Sequence, residues 1–194
     1  MNELHNNQSQ QLWQSQPVEG IQMSAEAIRK RAGKFERTIL WRNRREYVGA
    51  LIPAVLFAFS FVRTHDILFR IAFGTLIAGL ALMVFHLHHK GSARTLPGTL
   101  GASTCVQFFR GELERQRDLV ANVWPWYLAP LVPGFVLYTA AYARALPYPV
   151  NLGGMALLDG IVAAVFFFIW KLNQRAAGSL QRLIDELYAT ENSR

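Results

Sequence analysis

Cysteine is nearly absent: one stands among 194 residues, at position 105. A lone thiol excludes an intramolecular disulfide, a paired-thiol redox motif and a cysteine zinc cluster. A reactive thiol needs an electropositive neighbour and exposure, so Cys105 reads as a small apolar filler on a helix face. Charge is scarce as well. Asp, Glu, Lys and Arg make up 17% of the chain, against about a quarter in soluble domains. The sequence has no Gly-rich phosphate loop, no nucleophile elbow and no HExxH pair. No catalytic residue, cofactor or enzymatic activity is therefore expected. Residues 1–16, rich in Asn and Gln, lack the basic-then-apolar order of a secretory signal, and no lipobox-like cysteine follows. The first membrane segment is expected to serve as the insertion signal and to stay in the product.

Apolar residues are abundant: 52% of the chain, with 12% aromatic and a mean hydropathy of +0.14. That excludes a disordered chain. The apolar residues fall in four blocks, 47–62, 67–88, 124–143 and 153–170. Such blocks predict transmembrane helices, although the first, with 16 uncharged residues, is shorter than the usual span of about 20. Trp41 and Tyr47 suit an interface, and the arginines beside them can snorkel. Pro53 is a candidate kink. Only residues 63–66 separate the first two blocks, which predicts a tight helical hairpin. The third block opens with Trp124, Trp126 and Tyr127, and Pro125, Pro130 and Pro133 make its first half irregular. Residues 144–152, with Pro147 and Pro149, connect it to the fourth.

Between the blocks the period is helical and one-sided. Ser24 is a candidate N-cap, and Ile28, Ala32, Phe35 and Ile39 follow on one face, interrupted only by Gly33. Ala102, Val106, Phe109, Leu113 and Val120 share a second face. Ala176, Leu180, Leu183 and Leu187 share a third, joined by Ile184 and Tyr188. The expected fold is all-α: four transmembrane helices in two hairpins plus three cytoplasmic amphipathic helices. In order, residues 1–20 read as a flexible polar cytoplasmic tail and 21–46 as a cytoplasmic amphipathic helix. Residues 47–88 form the first hairpin, and 89–123 a loop with a second amphipathic helix. Residues 124–170 form the second hairpin, and 171–194 the third amphipathic helix.

Charge placement sets the orientation. Seventeen of the 20 Lys and Arg fall in 1–47, 89–123 and 171–194, while Arg63, Arg70 and Arg144 lie at the opposite ends of the spans. By the positive-inside rule both termini and the middle loop are cytoplasmic. This accounts for most of the formal charge of +7, and no nucleic-acid partner is needed. In residues 21–47 eight cations face Glu26, Glu36 and Glu46, leaving +5. Anionic lipid attracts such a segment.

Few residues carry chemistry. Asp159 is the carboxylate deepest within an apolar block, six residues past Gly153. It is a candidate intramembrane polar site, placed near the outer edge and read either as a hydrogen-bonded structural aspartate or as part of a small transporter. His86, His88 and His89 resemble a metal cluster, but a zinc or copper site needs three or four converging ligands. Interfacial histidines beside a helix C-terminus account for them, and no metal is expected. The Leu12–Trp13–Gln14 stretch in the polar tail is a candidate docking motif. The amphipathic faces either dock on each other and on the bilayer or receive a cytoplasmic protein. On the second reading the candidate partner contacts are Trp13, Ile28, Phe35, Ile39, Phe109 and Leu113.

LWQSQP at 12–17, MSAEAIRKRAGKFERTILWRNRREYVGA at 23–50 and FFRGELERQRDLVANVWPWYLAPLVPG at 108–134 together resemble a group of uncharacterised bacterial inner-membrane proteins. Genes of that group often lie beside extracytoplasmic-function sigma factors. The resemblance covers about half of the chain. It implies a multi-pass bacterial inner-membrane protein, with an anti-sigma or signalling partner role. The HxxxCxxC motif of zinc anti-sigma domains is absent, so any sigma contact uses the helices without metal. The resulting expectation is a non-enzymatic regulatory protein that docks a cytoplasmic partner such as a sigma factor. A structural or accessory subunit of a membrane transport complex is the alternative. The oligomeric state is left open.

Overall fold

The computed structural model describes residues 25–94 and 102–192. The polar tail with Trp13, and the Ser24 cap, lie outside the described residues. Five α-helices make up nearly all of the rest: α1 (Ala25–Arg63), α2 (Ile67–Gly91), α3 (Ala102–Ala121), α4 (Val132–Ala145) and α5 (Val150–Asn192). No strand occurs among the described residues. Three helices are long and apolar enough to cross a membrane: Glu26–Arg63, Ile67–Gly91 and Leu152–Ala189. Cys105–Ala121 and Trp124–Ala145, bent by 59° at their junction, make a fourth candidate if counted as one broken span.

Two of the helices run through the junctions between an amphipathic segment and an apolar block. Nothing breaks between 46 and 47, or between 170 and 171. α1 runs 39 residues straight past Gly33 and Pro53, and α5 runs 43. Good helix formers fill both junctions, so hydrogen bonding carries each apolar span directly into its charged extension. Leu51, Val55, Leu56 and Phe59 on α1, and Leu157, Ile161 and Phe168 on α5, stand exposed. Helices with apolar exteriors of this kind belong in lipid.

The break before α4 follows from its prolines. Trp124–Leu128 forms a π-helical turn and Ala129–Leu131 a 3-10 turn. Pro125 and Pro130 supply no N–H, so regular α-helical bonding cannot run through them. Pro133 falls in the first turn of α4, where its missing donor goes unnoticed. The Trp126 indole N–H donates to the Leu119 carbonyl at 2.9 Å, and the Gln174 amide to the Ala121 carbonyl at 2.9 Å. These side chains satisfy carbonyls that the end of α3 leaves open.

α1 and α2 form the expected hairpin, with Ala50, Leu80 and Met83 in its core and Phe57 stacked on Phe73 at 6.2 Å. Asp66 closes the turn by accepting N–H bonds from Leu68 and Phe69 at 2.8 and 3.2 Å, a conventional N-cap. The second hairpin departs from expectation, because α4 packs more extensively on α2 than on α5. Two glycines permit it. At Gly79 a Cβ would run into the Pro130 carbonyl oxygen, and at Gly134 one would lie 2.9 Å from the Leu76 backbone nitrogen. Backbone approach this close is the usual role of small residues between membrane helices. α5 touches α4 sparsely through its apolar half, at Gly154, Asp159 and Phe166, and packs on α3 from Gln174 onward.

Candidate functional site

The N-terminal half of α1, all of α3 and the C-terminal half of α5 pack into a three-helix module. Its core joins Ile28, Cys105, Phe109, Leu113, Ile184 and Leu187, flanked by Ala32, Phe35, Val106 and Leu180. Phe35 meets Phe109 edge-to-face at 5.9 Å. The first two apolar faces legible in the sequence are covered; the third is turned from expectation, since Ile184 and Leu187 are buried while Ala176, Leu183 and Tyr188 stand exposed, Tyr188 beneath the Arg110 guanidinium at 4.7 Å. This corrects the expected contact surface. Ile28 and Leu113 are 1% and 0% exposed, filling the bundle interior, where no partner reaches them. Trp13 lies outside the described residues. Phe35 is half-buried, and Ile39 and Phe109 are 3% and 8% exposed. They line a cleft of about 190 Å3 between α1 and α3, with Arg29, Glu36, Arg94 and Glu112 also on its wall. Cys105 is fully buried in the module core.

The module is electrically lopsided. α3 carries three cations against three acids, and residues 171–192 of α5 do the same. The surplus of +5 sits in the first half of α1. Lys30, Lys34, Arg37, Trp41 and Arg44 follow one another at steps of four and three, which aligns them on one stripe of the helix, and all five are exposed. The Arg44 guanidinium lies over the Trp41 ring at 5.9 Å. The stripe runs from the free end of α1 to the start of its apolar span.

Where the module meets the spans, a buried polar network joins four elements. The Arg42 guanidinium donates to Gln116 Oε1 at 2.9 Å and to Asn43 Oδ1 at 3.2 Å. The Asn43 amide donates to the Gly91 carbonyl at 2.8 Å. Arg115 forms a two-pronged pair with Glu112 at 2.6 and 3.0 Å. It also donates to the carbonyls of Lys90, at 2.7 Å, and Ser92. The Tyr127 hydroxyl donates to Glu46 at 2.6 Å. Asn43, Glu112 and Gln116 are almost fully buried. Burial lowers the Arg42 pKa from its ordinary value, with Glu46 and Glu112 opposing and Arg115 adding to the shift. What this arrangement does is hold. The last carbonyls of α2 receive donors from α1 and α3, and each buried polar group has a partner. The sequence offered no sign of it, since its members come from 42–46, 90–92, 112–116 and 127.

The remaining candidates separate. His86 and His89 make ring contacts with Phe85, His89 at 4.4 Å, and His88 meets His89. Among the described residues no group of three His, Cys, Asp or Glu side chains converges on a point that could hold a metal. Asp159 accepts a bond from the Thr139 hydroxyl at 2.8 Å, joining α5 to α4. Because α5 begins at Val150, Asp159 lies nine residues from that end and eleven from Trp170. The helix thus begins three residues before Gly153, from which the expected edge position is counted. The chain matches no family model, no curated protein and no solved structure.

Proposed function

We propose that this chain is a non-enzymatic bacterial inner-membrane protein that docks a cytoplasmic partner on α1. The module, both termini and the α2–α3 connection lie in the cytoplasm, in keeping with the cations concentrated at that end. One observation carries the reading. The apolar faces of α1 and α3 are already used, yet the side of α1 turned away from them keeps an exposed basic stripe, with the Arg44 guanidinium over the Trp41 ring. A partner with an apolar anchor side chain flanked by carboxylates fits this surface: the anchor packs on Trp41 and the carboxylates meet Lys30, Lys34, Arg37 and Arg44. A sigma factor is the partner that the sequence resemblance implies. Membrane retention then lowers its free pool by mass action.

The test is crosslinking in the native host, capture through a C-terminal tag in mild detergent, and identification by mass spectrometry. The triple variant Lys30→Glu, Lys34→Glu, Arg37→Glu inserts normally and loses a soluble partner, and recovery of that partner declines with salt. Recovery of integral membrane proteins alone, unchanged by the triple variant, refutes the reading and favours an accessory subunit.

A further inference from the structure

We propose that the groove between α4 and α5 binds a lipophilic cation drawn from the bilayer, with Asp159 as its counter-charge. The inference is independent of docking on α1.

α4 and α5 touch at the two ends of the groove and, between them, at the Thr139–Asp159 hydrogen bond. At one end Gly154 lies against Tyr142. At the other, Phe166 meets Trp124 and Phe135 edge-to-face at 6.3 and 5.9 Å. The space left between is about 900 Å3, with Thr139 and Asp159 on its wall beside Phe135, Phe166, Trp124 and Trp170. That volume suits a small organic molecule. The groove opens sideways, since no residue of the apolar half of α5 is fully buried. With a rise of about 1.5 Å per residue, Asp159 lies roughly 14 Å from Val150 and 16 Å from Trp170 along the helix.

A carboxylate at that depth requires compensation. Thr139 supplies one hydrogen bond, and Asp159 remains exposed toward the groove. Among the described residues the Lys and Arg of 47–62, 67–88 and 124–170 are Arg70 and Arg144. Both are engaged elsewhere: Arg70 donates to the Thr64 carbonyl at 2.9 Å, and Arg144 pairs with Asp66 at 2.7 Å. A second copy of the chain would bring no mid-span cation either, so self-association leaves the charge unmatched. A cation with an apolar periphery matches every wall at once. Its charge meets Asp159, and its periphery meets aromatic faces that attract positive charge. At the same mouth, the Lys171 ammonium already lies over the Phe167 ring at 5.7 Å.

The experiment uses two probes of one shape and opposite charge, tetraphenylphosphonium and tetraphenylborate. Each is titrated against the full-length protein in nanodiscs by tryptophan fluorescence and by equilibrium dialysis. The expected result is saturable binding of the phosphonium and at least about tenfold weaker binding of the borate. Asp159→Asn loses the discrimination. Ala163→Trp, which fills the groove without touching its charge, loses binding even if the Asp159 variant misfolds. Equal binding of both ions, or unchanged binding in either variant, overturns the proposal. So does disulfide crosslinking between two copies through a cysteine at 163 in a protein that binds neither ion, because the groove is then an interface between copies.

Discussion

Replacing Leu113 by alanine separates a helix that waits for a partner from one that already has its contacts. Leu113 is 0% exposed and lies among Ile28, Cys105, Phe109, Ile184 and Leu187. These neighbours come from three helices, each held by its own backbone, so collapse around the missing side chain is incomplete. Leu→Ala changes at such sites cost about 2–5 kcal/mol, and about 3 kcal/mol is expected here. The assay is amide hydrogen exchange of α3 in detergent, read by mass spectrometry. If α3 amides exchange through opening of the module, 3 kcal/mol raises their rate about 150-fold. The amides of α2 at 72–83, buried against α1 and α4, keep their rates. A leucine held ready for a partner would instead show the small effect of a surface substitution, within about 0.5 kcal/mol or roughly twofold. A change below about threefold refutes the packing assigned to the module.

Two further outcomes follow from the same geometry. Gly134→Val places a Cβ 2.6 Å from the Leu76 side chain and 2.9 Å from its backbone nitrogen, an overpacking that costs about 1–3 kcal/mol. It lowers the thermal midpoint in detergent, whereas Gly49→Val, which meets nothing within 4 Å, does not; equal midpoints refute close α2–α4 packing. Asp66 supplies the pH dependence. The Phe69 N–H chiefly, with the Leu68 N–H and Arg144, holds its carboxyl below the ordinary value. A depressed folded value gives stability that is present above the unfolded value, near 3.9, and is lost as pH falls through the folded one. The wild type therefore melts above Asp66→Asn at neutral pH and converges on it as pH falls below about 4 and through the folded value, and a constant gap between the two argues against the hydrogen bonds that Asp66 accepts.

What the sequence disclosed was local. The period of Ile28, Ala32, Phe35 and Ile39 marked a helix face, because a period needs only the chain's own spacing. It did not say what covers that face. The cover comes from Phe109, Leu113 and Ile184, far along the chain, and their pairing depends on how α5 returns. The prolines at 125, 130 and 133 announced an irregular third block, and the break occurs among them. Its packing against α2 escaped notice, because Gly79 and Gly134 acquire meaning only when opposite Pro130 and Leu76. Asp159 stood out as a charge among apolar residues. Its partner Thr139 did not, since the register of α4 against α5 is set by packing. The polar network was invisible for the same reason: Arg42 and Asn43 read as ordinary surface residues of a basic helix until α3 is laid beside them.

The absence of a joint in α1 and α5 has a mechanical consequence. Residues 25–46 of α1 form a rod of roughly 33 Å at about 1.5 Å per residue, rigidly continuous with the apolar stretch that follows. A reorientation of that stretch by about 5° swings the rod's tip by about 3 Å with no hinge to absorb it. α5 is a second such rod, and the module core lashes the two together through α3. The arms cannot swing separately without tearing that lashing, so movement in the bilayer reaches the module as a shear across Phe35 and Phe109, the side chains that floor its cleft.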